Sequence, residues 1–226
     1  MVNSIMVLLK FAVLILSSYL IGAIPFGIVV SKLSRGMDIR GYGSGRIGAT
    51  NVIRTAGGRA GVLTMGLDVA KGSVAVVIAW CLLHTPVAQV VAAMSAMIGH
   101  NWSVYIKFQG GRGVATFVGG LAAMYWPVGL GVSAIVLSVA ALSRYMSLGS
   151  ILGTVTAFLV MLSLVILEKQ PVAYLIYCGL AGCMILFQHR DNIRRLCAGN
   201  ERKLGEKSEV RETERGSAGN EHGNSD

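Results

Sequence analysis

The chain has 226 residues, 54% of them hydrophobic and only 14% charged, with a formal net charge of +9. Soluble domains carry roughly 25% charged residues, so this composition excludes one, and no nucleic acid is expected as a partner. The apolar residues come in long runs, which marks an all-α integral membrane protein.

The elements are delimited by the charges that interrupt those runs. A first span covers about 8–30, with Pro25 and Gly27 loosening its inner end. It is too long for the apolar core of a signal peptide and is read as a retained helix. A polar loop runs from Ser31 to Arg59, a second span covers about 61–83, and a third about 86–106. A glycine-rich loop at 107–113 follows. The run from Val114 to Leu142 is too long for one span, and Trp126-Pro127 divides it into two short helices. Spans at about 147–167 and 171–187 bring the total to seven. Five spans, with 114–142 as one long helix and a later run re-entrant, is the alternative. Residues 1–202 form one membrane domain. The tail at 203–226 lacks apolar residues to bury and is expected to be disordered.

Lys and Arg concentrate in four segments: 31–60, 107–113, Arg144 and 190–195. With seven spans all four fall on one side, which the positive-inside bias identifies as the cytoplasm. The N-terminus is then external and the C-terminus cytoplasmic. The net positive charge lies wholly in residues 1–189, because 190–226 carries eight residues of each sign. Cys81, Cys178, Cys183 and Cys197 form no C-x-x-C pair, so neither a disulfide nor a zinc site is expected.

The unusual polar residues gather on the cytoplasmic side. Gly41-Tyr-Gly-Ser-Gly-Arg-Ile-Gly-Ala-Thr-Asn51 is glycine-rich and offers Ser44, Thr50, Asn51 and, beyond it, Arg54 as donors to an anion; the competing reading is a flexible connector. Asp68 and Lys71 sit three apart inside the second span, as a structural ion pair or as part of a site. His100 closes the third span and is able to move a proton or simply to bond locally. Gly110-Gly111-Arg112-Gly113 opens the next helix, where backbone N–H groups and the helix dipole favour phosphate. His189-Arg190-Asp191-Asn192-Ile193-Arg194-Arg195 is a basic juxtamembrane cluster that suits lipid headgroups or a substrate. No nucleophile triad, metal-ligand cluster or P-loop is present, so the pattern suits a site that positions two anionic substrates for direct attack.

Five stretches resemble, in order, the motifs of the bacterial acyl-phosphate:glycerol-3-phosphate acyltransferases, the PlsY family. They are Gly43–Arg54, Asp68-Val-Ala-Lys-Gly72, Gly99–Thr116 with its Gly-His and Gly-Gly-Arg-Gly segments, Arg144–Ile151, and His189–Glu201. The resemblance spans about residues 5–203. It implies transfer of a fatty acyl group from acyl phosphate to glycerol 3-phosphate in the bacterial plasma membrane, without metal or cofactor, giving lysophosphatidate and inorganic phosphate. It also implies seven helices and a cytoplasmic site. Carried over by position, Ser44, Arg54, Lys71, His100, His189 and Asn192 would be catalytic. Thr50, Asn51, Gly110, Gly111, Arg112, Gly113 and Glu201 would bind substrate. The expected partners are acyl phosphate, glycerol 3-phosphate and membrane lipids, and the chain is expected to act as a monomer.

The family usually has Asn at the position of Arg46 and Lys at those of Gln109 and Arg112. Arg112 keeps a charge, Gln109 loses one, and the charge at Arg46 is expected to compensate. A divergent paralogue, a small transporter for an anionic metabolite and a non-catalytic lipid binder are the alternative functions. The clustering of polar groups on one face, without internal repeats, counts against a transporter.

Overall fold

The computed structural model describes residues 2–206, and every regular element among them is helical. The first span is longer than expected and broken. Helix α1 (Val2–Ala23) stops before Pro25, whose ring removes a backbone donor, and α2 (Phe26–Arg35) resumes and ends at Gly36. Together they form one apolar stretch, Asn3–Arg35.

The segment expected as a polar loop is folded. Asp38 caps a 3₁₀ turn at Ile39–Gly41, and α3 (Ala49–Ala56) follows. Ile39, Ile47 and Val52 are fully buried against Ile28 and Val30 of α2 and Ala60. These few apolar side chains give the segment a small core of its own, so it is not a flexible connector.

Helix α4 (Gly58–Leu83) and α5 (Pro86–Asn101) form a hairpin. Thr85 caps α5 by accepting from the Ala88 N–H at 3.2 Å, with Pro86 opening the helix where its missing N–H costs nothing. Helix α5 ends earlier than expected, and a 3₁₀ turn takes up Val104–Ile106. Ser103 ties that turn to the end of α1 by donating to the Ala23 carbonyl at 2.6 Å. The run 114–142 divides at Tyr125 into α6 (Val114–Met124) and α7 (Trp126–Ser143), with Pro127 in the first turn of α7. Helices α8 (Met146–Ile166), α9 (Val172–Gln188) and α10 (Arg190–Cys197) complete the fold, the last two meeting at a 61° bend.

Among the described residues, four stretches are long and apolar enough to cross a membrane: Asn3–Arg35, Gly58–Leu83, Trp126–Ser143 and Met146–Ile166. A fifth arises if α9 and α10 count as one bent span. Large apolar side chains such as Leu8, Leu9, Leu16, Leu130, Leu159 and Phe187 face outward. In water that arrangement would be costly, but lipid is as apolar as the core.

Inside, Val76, Met97, Phe117, Leu121, Tyr177 and Ile185 join helices α4, α5, α6 and α9. Gly72 and Gly119 let α4 and α6 touch backbone to backbone, since a Cβ at either would collide with a carbonyl of the other helix. Residues 203–206, within the segment expected to be disordered, are tied to the fold: Leu204 N–H donates to the Arg144 carbonyl at 2.7 Å. The rest of that tail, 207–226, lies outside the described residues.

Candidate active site

The segments that carry the unusual polar residues meet at one end of the bundle, around a cavity of about 380 Å³. Four helices begin at its wall. Thr50 belongs to the first turn of α3, Val114 and Ala115 to that of α6, Met146 and Ser147 to that of α8, and Asn192 to that of α10. Helix N-termini carry unsatisfied N–H groups and partial positive charge, so four of them favour an anion. The cavity also has an apolar lining, with Val62, Met65 and Val69 of α4, Val118 of α6, and Val136 and Leu137 of α7.

The two glycine-rich loops contribute differently from expectation. Asn51 is buried and its side chain holds its own loop together. Its Nδ2 lies 3.3, 3.1 and 2.9 Å from the carbonyls of Ile39, Tyr42 and Arg46, and its Oδ1 accepts from the Ser44 N–H at 3.4 Å. Asn51 therefore shapes the loop, leaving Ser44, Thr50 and Arg54 to face the cavity. In the second loop, Gly110 N–H and Gly111 N–H donate to the carbonyls of Asn101 and His100, at 3.2 and 3.0 Å. Those two N–H groups are consumed in the fold and do not cradle phosphate, and Gly110 is not in the cavity wall. Gly111 is, and a Cβ there would strike the His100 ring. The glycines thus bring the α6 N-terminus close to His100, and Arg112, Gly113 and the start of α6 also line the cavity.

Beneath this wall lies a buried charged group. Lys71 Nζ is 2.9 Å from Asp68 Oδ1, 2.7 Å from His100 Nδ1 and 3.2 Å from the Ile24 carbonyl. An ammonium has no lone pair, so it must donate to Nδ1, and His100 then carries its proton on Nε2. Asp68 and His100 reach the cavity wall; Lys71 sits behind them.

His189 is in the opposite tautomer. Its Nδ1 lies 2.8 Å from the Ile185 carbonyl, which only accepts, so Nδ1 holds the proton and Nε2 is left as an acceptor. Next to it, Glu201 accepts from Asn192 Nδ2 at 2.6 Å, Arg195 Nε at 2.8 Å and Ser147 Oγ at 3.0 Å. This fully used carboxylate ties α8, α10 and the C-terminal segment together.

Arg46, Arg54, Arg112, Arg195 and Arg202 line the cavity, against only Asp68 and Glu201. Asp68 is neutralised by Lys71, and Glu201 by Arg195. Among the described residues, Arg46, Arg54 and Arg112 have no carboxylate within ion-pair distance, and the buried Nε atoms of Arg54 and Arg112 have no partner. Burial and the nearby Arg46 lower the Arg112 guanidinium to about 10, and burial also lowers Arg46 and Arg54. All three keep their charge at neutral pH. Gln109 is exposed and outside the wall. Arg46 therefore does not replace a charge at 109; it adds to Arg112. Among the described residues no three His, Cys, Asp or Glu side chains come together in a way that could hold a metal ion.

A family model described as glycerol-3-phosphate acyltransferase matches residues 12–199. Glycerol-3-phosphate acyltransferase 3 of Dehalococcoides mccartyi is 44% identical over 215 residues, covering 90% of this chain and all of the relative. Glycerol-3-phosphate acyltransferase 2 of Moorella thermoacetica is also 44% identical, over 84% of this chain and 96% of the relative. The chain belongs to the glycerol-3-phosphate acyltransferase family. Its fold matches the crystal structure of the integral membrane acyltransferase PlsY (YgiH) in a glycerol 3-phosphate form, with a TM-score of 0.79 and 36% identity over 86% of this chain and 96% of that one. The lysophosphatidic acid form of PlsY gives 0.76 and 35%, over 86% and 95%.

In this acyltransferase, sequence reasoning missed Ser147, Arg195 and Arg202 as wall residues. Ser147 lies in the stretch Arg144–Ile151 that already resembled the family, and Arg195 in the basic cluster after α9, so the signal was present without a reason to single either out. Nothing in the sequence pointed to Arg202.

Proposed function

We propose that this protein transfers a fatty acyl group from acyl phosphate to glycerol 3-phosphate, releasing lysophosphatidate and inorganic phosphate for phospholipid synthesis. The observation that carries the reading is the set Arg46, Arg54 and Arg112, half-buried and without counter-charge, in one cavity with apolar side chains of α4, α6 and α7. A buried cation without a partner is costly, and a bound phosphate removes that cost. The apolar lining suits an alkyl chain. A molecule with a phosphate at one end and a fatty chain at the other fits both.

The glycerol 3-phosphate hydroxyl attacks the acyl carbonyl, the new C–O bond forms, and the acyl–phosphate bond breaks with its electron pair leaving on phosphate. The acyl phosphate is already activated, so no protein nucleophile is required. Arg112 and the helix N-termini stabilise the charge on the departing phosphate, Arg54 holds the phosphate of glycerol 3-phosphate, and Ser44, Thr50 and Asn192 orient the polar ends. His100, with its proton on Nε2, acts as a donor. His189 Nε2 is the histidine nitrogen able to accept the hydroxyl proton, and the leaving phosphate is the other acceptor the reaction supplies. The pH–rate profile of His189→Gln separates them: a lost limb assigns the proton to His189, a retained one to phosphate. Lys71 orders Asp68 and His100 from behind.

The same geometry supports seven crossings. Residues 44–54, 111–113, 146–150 and 189–202 share one cavity. An even number of traverses must separate each from the next, and the helix pairs α4–α5, α6–α7 and α8–α9 supply them. With α1–α2 as one crossing, the N-terminus lies on the far side. Lys and Arg placement puts the cavity on the cytoplasmic face of a bacterial plasma membrane. The chain is read as working as a monomer among membrane lipids.

The test is purified protein with palmitoyl phosphate and labelled glycerol 3-phosphate, with acyl-CoA as the second donor. Lysophosphatidate from palmitoyl phosphate alone is the expected result. Product from acyl-CoA alone overturns the donor, and no product from either overturns the activity.

A further inference from the structure

Beyond α10 the chain turns at Gly199, where φ is +71°, and the segment 200–206 follows, with Glu201 and Arg202 in the cavity wall. The segment has no apolar anchor of its own: Leu204 is only half-buried, and Arg202, Lys203, Gly205 and Glu206 are exposed. Polar contacts hold it at three consecutive points. Glu201 binds Ser147, Asn192 and Arg195. Arg54 Nη2 donates to the carbonyls of Arg202 and Lys203, at 3.0 and 3.1 Å. Leu204 and Arg144 then exchange two bonds: Leu204 N–H donates to the Arg144 carbonyl at 2.7 Å, and Arg144 Nη2 donates to the Leu204 carbonyl at 3.0 Å.

Arg144 lies outside the cavity wall, exposed, at the corner between α7 and α8. Its backbone is left-handed, with φ of +63°, a conformation that disfavours most side chains. Arg54 is the residue whose orientation depends on the segment. Two backbone carbonyls fix one end of its guanidinium, and its Nε is buried without a partner. If the segment swings away, Arg54 loses both fixed bonds and its aim at the cavity.

We propose that residues 200–206 are a strap that holds Arg54 in its substrate-binding orientation, and that Arg144 is the positioning residue that pins the strap from outside the cavity. This rests on the acyltransferase reading for the meaning of Arg54, but the pinning itself is independent of it. Ordering costs are met before substrate arrives, so the loss of the pin weakens binding more than it slows the chemistry.

Two full-length variants test it. Arg144→Asn tolerates the left-handed backbone and removes the reach of the guanidinium. Arg144→Lys keeps a donor and a charge. For Arg144→Asn, hydrogen exchange in the 200–206 peptide accelerates by about tenfold or more as the strap opens locally. The KM for glycerol 3-phosphate rises about five- to tenfold, the loss expected for about one ordinary hydrogen bond, while kcat stays within about twofold. Titration calorimetry with glycerol 3-phosphate shows the same loss without turnover. Arg144→Lys recovers most of it, and in an Arg54→Lys background the Arg144→Asn effect nearly vanishes.

Faster exchange with unchanged KM overturns the proposal, as does a KM effect that simply adds to that of Arg54→Lys. A fall in melting temperature with unchanged KM reduces Arg144 to a fold-stabilising residue and overturns it too. If the wild type transfers no acyl group, the acyltransferase reading fails, while exchange and calorimetry still decide the strap.

Discussion

Two groups of charged side chains stand against the same cavity and are compensated in opposite ways. Asp68, Lys71 and His100 are almost wholly buried and pair their charges with one another, with Lys71 also bonded to the Ile24 carbonyl and His100. Arg46, Arg54 and Arg112 have no carboxylate partner among the described residues. A charge compensated within the fold contributes to holding helices together. A charge left without compensation is available to a ligand, and the fold carries its desolvation cost until the ligand binds. Proximity to the cavity therefore does not separate structural from functional residues here; the fate of each charge does.

The largest expected effect is on the compensated side. Asp68→Asn leaves Lys71 charged and unpaired inside the bundle, which costs about 3–5 kcal/mol of stability. A melting temperature in detergent reads it directly, and Asp68→Asn combined with Lys71→Met recovers most of the loss. An unchanged melting temperature for the single variant would break the distinction between the two groups.

Arg112→Gln comes next and acts in the opposite manner. Loss of one preorganised contact to the reacting phosphate lowers kcat/KM by roughly 10²–10³, about 3–4 kcal/mol. Stability is unchanged or improved, because an unpaired cation has been removed. A destabilised protein with near-normal turnover would move Arg112 into the structural group.

Gly111→Ala sits at the boundary of the two groups. The new Cβ meets the His100 ring, and overpacking of this kind costs about 1–3 kcal/mol. Activity falls further than stability if His100 must stay close to the α6 N-terminus. Equal falls in both would assign His100 to the structural group alone.

The smallest effect near neutrality is the pH dependence. Arg112 is lowered from 12.5 to about 10, so its charge is lost as pH rises through that value. Acyl phosphate binding then weakens above about pH 10 in the wild type and shows no such step in Arg112→Gln. Stability moves the other way in that window. The unfolded chain binds more protons than the folded one between the lowered and the ordinary value, so the contribution of this group to folding rises with pH. Calorimetric titration across the range checks the first, and melting temperature the second.

Much of the helical order was legible in the sequence because apolar runs and the charges between them are local signals. Trp126-Pro127 located the break between α6 and α7 for the same reason, since a proline acts on its own helix. The segment 36–57 was misread because its core, Ile39, Ile47 and Val52 against α2, is assembled from residues too sparse to form a periodic pattern. The glycine loops showed a similar limit. Gly110 and Gly111 were recognisable as special positions, but whether their N–H groups face a ligand or the carbonyls of α5 depends on where another helix ends.

The sequence alone determined a membrane-embedded helical chain, the grouping of its basic segments and the resemblance that suggested its chemistry. Each of these rests on composition, spacing or order, which need no partner elsewhere in the chain. Only the tertiary structure decided which polar groups are consumed. Asn51 holds its own loop, Lys71 serves Asp68 and His100, the two histidines adopt opposite tautomers, and Arg144 reaches a strap 60 residues away. A hydrogen bond uses up a donor wherever its acceptor lies along the chain, so what remains for a substrate is known only once the folded partners are.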